Sequence, residues 1–337
     1  MSRGARRRQR QQPRTLQVFL IIVLVLLTVC VLVKAFFLKA PEQKAAELPA
    51  QPASSDTDSQ QSPEEQAAQE ALRSHLERKG GFYTILLSGL DDDNGGSDTN
   101  ILVAVDTVNG YVYGVSIPRD SKAIIDGKAR KINYAYNKGG TELLADTVSE
   151  QLGIPVDYTV SVNLKGFTAL VDAIGGVDFD VPINMDYDDP IQNLSIHFKK
   201  GVQHLSGADA LRVVRFRHNN DGSGYGSEDL GRMATQQKFL KAVAKKMLSA
   251  GNILTKIDDY AKIFNQYVGT NLTVGNLAWL GTEVLKMGVD KIDFSTLPNA
   301  WKYPYIYLDP TETLTLVNTY LNPYVEDRTA DDLNIPG

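Results

Sequence analysis

The chain has 337 residues, 43% of them hydrophobic and 22% charged, with a formal net charge of −5. That length holds one large domain or two ordinary ones, and the mild acidity excludes a general nucleic-acid binder. The only cysteine, Cys30, excludes a disulfide framework, and no Cys/His cluster has zinc-ligand spacing.

Residues 1–14, "MSRGARRRQRQQPR", carry six arginines and no acid, a basic tail. Residues 15–38, "TLQVFLIIVLVLLTVCVLVKAFFL", form an apolar run that spans about 36 Å as a helix, against a hydrocarbon core of about 30 Å. Val18 to Val33 is free of charge, and Lys34 lies near one end, where it can snorkel to the headgroups. The run is too long for a cleaved signal peptide and "KAFFLKAPE" is a poor cleavage site, while a buried core helix would not take six arginines at its mouth. A single transmembrane helix is expected over 15–38, with the arginines cytoplasmic and the rest of the chain outside the cell. Residues 39–61, rich in Ala, Gln, Ser and Pro, read as a flexible linker. A stalk helix is predicted over 62–80, opened by Ser62, Pro63 and Glu65 and ended by Gly80 and Gly81.

From residue 81 the pattern changes to "FYTILLS", "NILVAVD" and "GYVYGVSI", three strands in succession, the last two joined by a hairpin signal. Helical patterns follow at "GTELLADTVSEQL" and "LKGFTALVDAIGG", with strands at "DYTVSVN" and "VDFDVP". Further helices are predicted at Ser206–Val214, Leu230–Ser249, Val274–Met287 and Thr311–Tyr320, and a late strand at "KIDFSTL". This mixture predicts one α/β domain over 81–325, a central mixed sheet flanked by helices, followed by a C-terminal tail over 326–337.

Three stretches carry chemistry. "LSGLDDDNGGSDTN" leaves the end of the first strand with Asp91, Asp92, Asp93 and Asp98. By composition it is an acidic turn; as a calcium loop it fails, because the twelfth position is Leu102 rather than Glu. "SIPRDS" places Arg119 after a strand whose neighbour begins at Asn100, so aligned strand ends would bring Arg119 to that loop. Alone, an Arg-Asp pair after a strand is a surface pair of little worth. "VVRFRH" puts Arg215 and Arg217 two apart; in an extended stretch both guanidinium groups share a face and suit phosphate oxygens, and the alternative is a solvated edge. The glycine-rich "NNDGSGYGSED" that follows reads as a mobile lip rather than a P-loop, and it leads to a helix bearing Arg232 and, one turn on, Gln236.

Taken in order, the run into "SGLD", then "SDT", "SIPRDS", "KINYAYNKGG", "LGIPVDY", "GFTALVDAIGGVDFDVP", "HLSGADALRVVRFRH" and "DLGRMATQQKFL" resembles the LytR-CpsA-Psr family of Gram-positive cell-wall enzymes. The resemblance implies a membrane-anchored phosphotransferase. Its substrate would be a glycopolymer on an undecaprenyl-pyrophosphate carrier, and its acceptor peptidoglycan, usually at the muramic acid 6-hydroxyl. It further implies that Asp91 and Asp98 hold Mg²⁺, or Mn²⁺ in its place. Arg119, Arg215, Arg217, Arg232 and Gln236 would bind the pyrophosphate, with Asp229 in support and Asp98 and Arg119 catalytic. Water as acceptor would make the chain a pyrophosphatase, and a site short of cations would suit a non-catalytic wall-binding protein. The chain departs from the family at Asp93, Gly96 and Thr235, three positions where relatives usually carry arginine.

Overall fold

The computed structural model describes residues 38–44, 76–90, 96–191, 194–226, 228–247 and 257–337. The basic tail and the expected membrane helix, apart from Leu38, lie outside these residues, as do most of the linker and the start of the stalk. Among the described residues no helix is long and apolar enough to cross a membrane.

Three antiparallel strands, β1 (Phe82–Leu90), β2 (Ser97–Asp106) and β3 (Tyr111–Ile117), form the middle of the central sheet. β6 (Tyr158–Asn163) pairs parallel to β1, β12 (Ile292–Thr296) pairs parallel to β3, and β11 (Val268–Thr270) closes the far edge, giving the order β11-β6-β1-β2-β3-β12. The sheet is therefore mixed, as the sequence predicts.

Both faces of β1–β3 are apolar, and side-chain alternation sends each strand's residues into two cores. Leu86, Leu102, Ala104, Val115 and Ile117 face one side, against Leu144, Val148 and Leu152 of helix α1 (Asn133–Leu152). Tyr83, Ile85, Ile101, Val103 and Val105 face the other, against Leu280 of helix α6 (Val274–Met287). At about 1.5–3 kcal/mol for each buried Leu, Ile or Val side chain, this two-sided burial is the main force holding the sheet. A third cluster lies beside the sheet. Here α2 (Leu164–Ala173), α3 (Gly207–Arg215) and α4 (Glu228–Met247) enclose Phe179 of β7 (Val177–Val181) and Ile196 of β9 (Leu194–Phe198). Phe239 and Val243 on α4 reach this cluster, while Leu240 and Ala244 touch the sheet's second face. One helix thus links both cores.

Short hairpins complete the fold: β4 (Lys122–Ile125) with β5 (Lys128–Lys131), β8 (Met185–Asp189) with β9, and β13 (Asn299–Lys302) with β14 (Tyr305–Leu308). β10 (Gly201–Leu205) pairs with β7. Helices α5 (Ile257–Tyr267) and α7 (Pro310–Leu316) cover the ends.

Two expected boundaries change. The predicted stalk helix does not reach Gly80: Leu76 to Gly80 are not helical, and Arg78 bridges to Tyr324 as a strand would. The start of the linker is docked rather than loose. Lys44 N donates to Asp157 Oδ1 at 3.0 Å, Gln43 Nε2 donates to Lys79 O and Phe82 O at 2.8 and 2.7 Å, and Asn276 Nδ2 donates to Lys39 O at 2.9 Å. The Lys44 contact serves Asp157, whose side chain has 0% exposure and must be satisfied. Arg78 supplies both terminal nitrogens at 2.6 and 2.8 Å, and Thr84 N donates at 3.0 Å. At the other end, residues 326–337 also pack on the domain: Arg328 is 4% exposed, its guanidinium lies 4.2 Å from the Tyr324 ring, and Ile335 packs against the first core.

Candidate functional site

The strand ends align. Asn100 on β2 pairs with Ile117 on β3, so the residues just outside that pair, Asp98 and Arg119, meet at the sheet's edge. A turn at Pro118–Ser121, closed by Ser121 N donating to Pro118 O at 3.0 Å, swings Arg119 back over β2. Its Nη1 donates to Asp98 Oδ1 at 2.6 Å, a charge-assisted bond between half-exposed groups. Asp120 turns the other way and pairs with Lys131 at 3.0 Å.

A shallow cleft, open to solvent, lies against this pair. Asn100, Ser116, Ile117 and Pro118 form its floor, Arg232, Met233 and Gln236 of α4 form one wall, and Ile306 of β14 forms the other. Arg232 is 8% exposed, so its cation is held close to the sheet and aimed by its surroundings. Gln236 Nε2 donates to Val214 O at 3.0 Å, and Gln237 Nε2 donates to Ser295 O and Ser116 Oγ at 2.7 and 2.8 Å. These two glutamines bolt α4 to α3 on one side and to the sheet on the other, which fixes the angle of Arg232.

Four of the predicted site residues therefore converge: Asp98, Arg119, Arg232 and Gln236. Arg215 and Arg217 stand apart from the cleft lining, at the junction next to Val214. The extended reading of "VVRFRH" needs correction, since Arg215 is the last residue of α3 and only from Phe216 does the backbone become extended. Phe216, 1% exposed, stands at this break between the two arginines. Asp91 lies outside the described residues, as do Asp92 and Asp93; Asp229 falls in the first turn of α4, with its side chain outside what is described.

The lip that follows Arg217 is tied down. Asn219 Oδ1 accepts from Asp186 N at 2.7 Å and Asn220 Oδ1 accepts from Asp188 N at 2.6 Å, so two side chains extend the β8–β9 hairpin as a strand would. Tyr225 then packs edge-on against Phe216 and meets Thr235 of α4, with Oη and Oγ1 2.9 Å apart. Burial raises the Tyr225 pKa, which keeps the phenol neutral and bonded.

Two of the three departures from the family pattern now have a local cause. Thr235 is 2% exposed and its hydroxyl is taken up by Tyr225 and Gly231 O, so this position is built for a small hydroxyl and not for a guanidinium. Gly96 has φ of 114°, in the region that favours glycine, and a Cβ there would lie 3.1 Å from Asn137 Oδ1.

Asp98 and Asn100, which both line the cleft, are oxygen donors of the kind a divalent cation takes. Ser88 Oγ, Ser97 Oγ and Asn100 Oδ1 are buried with no hydrogen-bond partner among the described residues, and Ser88 and Asn100 are cross-strand partners. Such oxygens match a hard cation or its waters. Among the described residues no group of three or more His, Cys, Asp or Glu could hold a metal, so Asp98 would need Asp91 as its partner. Asn100 and Ile306 are cleft residues that sequence reasoning passed over, as it did Gln237, which anchors α4 to the sheet. Asn100 had a signal, a polar residue inside an apolar strand; Ile306 had none, being brought in from a remote hairpin.

A model of the LytR_cpsA_psr family matches residues 48–321. The chain is similar to a polyisoprenyl-teichoic acid–peptidoglycan teichoic acid transferase, TagV of Bacillus subtilis strain 168. The two are 37% identical over 202 residues, 57% of this chain and 50% of TagV. A TagU of the same description from Bacillus cereus is 36% identical over 195 residues, 56% of this chain and 60% of TagU. The matched stretch thus spans about half to three-fifths of these curated relatives. The crystal structure of B. subtilis TagV superposes with a TM-score of 0.60 at 32% identity, covering 72% of this chain and 96% of that one.

Proposed function

The chain belongs to the LytR_cpsA_psr family, and from that membership we propose that it is a phosphotransferase moving a glycopolymer from a polyprenyl-pyrophosphate carrier to peptidoglycan. The observation that carries this reading is the convergence of Asp98, Arg119, Arg232 and Gln236 on one cleft at the sheet's edge. Two relatives named as teichoic acid transferases support the substrate class.

In the proposed reaction a hydroxyl oxygen of the glycan attacks the phosphorus that bears the polymer. A new phosphodiester bond forms, the bond from that phosphorus to the bridging oxygen breaks, and the prenyl monophosphate leaves with the electron pair. The hydroxyl proton passes to the Asp98 carboxylate oxygen that Arg119 does not hold. Arg119 and Arg232 oppose the charge that gathers on the non-bridging and leaving oxygens, a task that suits guanidinium groups fixed in advance. Gln236 holds Arg232's helix against Val214, so the cation meets the phosphate without reorganising. Arg215 and Arg217, outside the cleft lining but next to the Val214 that anchors Gln236, receive phosphate oxygens that project past the cleft. Mg²⁺ held by Asp91 and Asp98 would add Lewis-acid neutralisation of the pyrophosphate. Residues 15–38 act as the membrane helix that keeps the domain outside the cell, near its lipid-linked donor.

The test is an assay with the full-length chain, a lipid-pyrophosphate-linked polymer and peptidoglycan oligomers. Polymer covalently joined to glycan is expected. Release of free phosphorylated polymer would instead mark a pyrophosphatase, and no turnover a non-catalytic wall protein.

A further inference from the structure

The β13–β14 hairpin carries exposed groups that the transfer chemistry does not use. Trp301 is 60% exposed and Tyr303, at the tip, 85%. Trp301 is the cross-strand partner of Ile306, so the two side chains share a face of the hairpin, and Ile306 lines the cleft. The hairpin is fixed there: Ile306 N donates to Asp120 O at 2.9 Å, and Ile306 bridges to Ser121, both in the turn that holds Arg119. An open indole thus stands at the cleft's rim.

The hairpin's other face is cationic. Lys302 Nζ and Lys122 Nζ lie 5.8 and 5.0 Å from the Tyr307 ring centre, and Tyr305 Oη donates to Ala129 O at 3.1 Å, joining this hairpin to β4–β5. On β5, Lys128 and Arg130 are exposed, the latter 5.3 Å over the Tyr134 ring. Across residues 119–131 and 299–308 the cations are Arg119, Lys122, Lys128, Arg130, Lys131 and Lys302, against Asp120 and Asp126. Arg119 is held by Asp98, Lys131 by Asp120, and Lys122 Nζ donates to Gly337 O, so Lys128, Arg130 and Lys302 are the cations left for a ligand, with Lys122 beside them, on a chain whose net charge is −5. Both acids are already occupied, by Lys131 and Lys138.

We propose that these two hairpins form a landing surface for an anionic, sugar-containing polymer as it leaves the cleft. Its sugar rings lie on Trp301 and on Tyr303 at the tip, and past that tip its phosphate or carboxylate groups meet Lys302 and Lys122 on the other face, with Lys128 and Arg130 beyond. This rests on the transferase reading for the polymer's route through the cleft. An uncharged glycan would use the aromatic rings but leave these cations without a role. A lipid surface would use the charge but would not require an indole on the cleft-lining face.

The experiment measures binding alone. The full-length chain is held in phosphatidylcholine nanodiscs and titrated with a labelled, lipid-free polyol-phosphate teichoic acid, with dextran as the neutral comparator. Binding of the teichoic acid that weakens as salt rises is expected, with no binding of dextran. The Trp301→Ala/Tyr303→Ala pair and the Lys122→Gln/Lys302→Gln pair should each weaken it about tenfold, the scale of an aromatic or charged anchor. Unchanged binding in both pairs, or dextran binding as tightly as the polymer, overturns the proposal. So does a surface that leaves the polymer unbound but shifts Trp301 fluorescence when phosphatidylglycerol is added to the discs. Because the ligand carries no pyrophosphate, a chain that binds it without turnover would separate a failure of the transferase reading from a failure of this one.

Discussion

At the scale of single residues, the site depends on groups held in place before any substrate arrives. Arg119 reaches Asp98 only because β2 and β3 end in register and Pro118 opens a tight turn. Asp98→Ala and Arg119→Ala should each lower transfer by at least about a hundredfold, the scale of losing one preorganised electrostatic contact. Thermal melts of both variants should match the parent, since both side chains are partly exposed; a collapsed melt would mean that the pair is structural. Asp157 is the opposite case. Its buried carboxylate ties Arg78, Thr84 and the segment around Lys44 together, and Asp157→Ala leaves Arg78 without its counter-charge. A loss of about 3–5 kcal/mol in denaturant unfolding is expected, and a change under about 1 kcal/mol would show the pair to be dispensable.

At the scale of elements, the lip and the β8–β9 hairpin form one piece because Asn219 and Asn220 stitch them together. Tyr225 then clamps that piece to α4, where a Cβ at Gly231 would lie 2.2 Å from the Tyr225 side chain. Gly231→Ala should therefore push the lip off α4, costing about 1–3 kcal/mol and freeing Tyr225 to solvent, visible as a phenol that titrates closer to pH 10. On the same hairpin, the hydrogen bond from His197 to Asp186, with Asp188 nearby, raises the imidazole pKa above its ordinary 6.5. A raised value stabilises the charged form in the folded state, so this contribution is full below pH 6.5 and fades as pH rises through the folded value. An NMR titration of His197 should return to the ordinary range in Asp186→Asn; an unchanged midpoint would remove Asp186 as the cause.

Elements also show what the sequence could and could not reveal. Strands β1–β3 were legible because their apolar residues fill two cores, and the helix predicted at Val274–Met287 has the same bounds in the structure, where Thr273 caps it. The β4–β5, β8–β9 and β13–β14 hairpins were not. Their strands are four or five residues long, and "KARK" has no apolar alternation to mark it. Arg119 could be brought to Asp98 from strand pairing alone. Ile306 could not be brought to the cleft, because that contact depends on a remote hairpin bridging to Ser121. The positive φ of Gly96 and the Tyr225–Thr235 contact are likewise properties of packing, and they give two missing arginines a local reason.

At the scale of the whole molecule, a sheet with apolar residues on both faces leaves its polar chemistry to the strand ends, and the cleft lies at one of them. The segment 38–44 docks at the other end, beside Phe82 and Asp157, so the chain leaving the expected membrane helix is held by the domain rather than swinging free. The chemistry proposed for the cleft is transfer to a glycan hydroxyl. Its most direct test is to run the full-length chain with lipid-pyrophosphate-linked polymer and peptidoglycan oligomers in heavy-oxygen water, and to read the polymer's terminal phosphate by mass spectrometry. A phosphodiester to the glycan carrying no heavy oxygen is the expected result, lost in Arg119→Ala and dependent on added Mg²⁺. A free phosphate bearing one heavy oxygen would contradict it, because water and not the glycan would then be the acceptor.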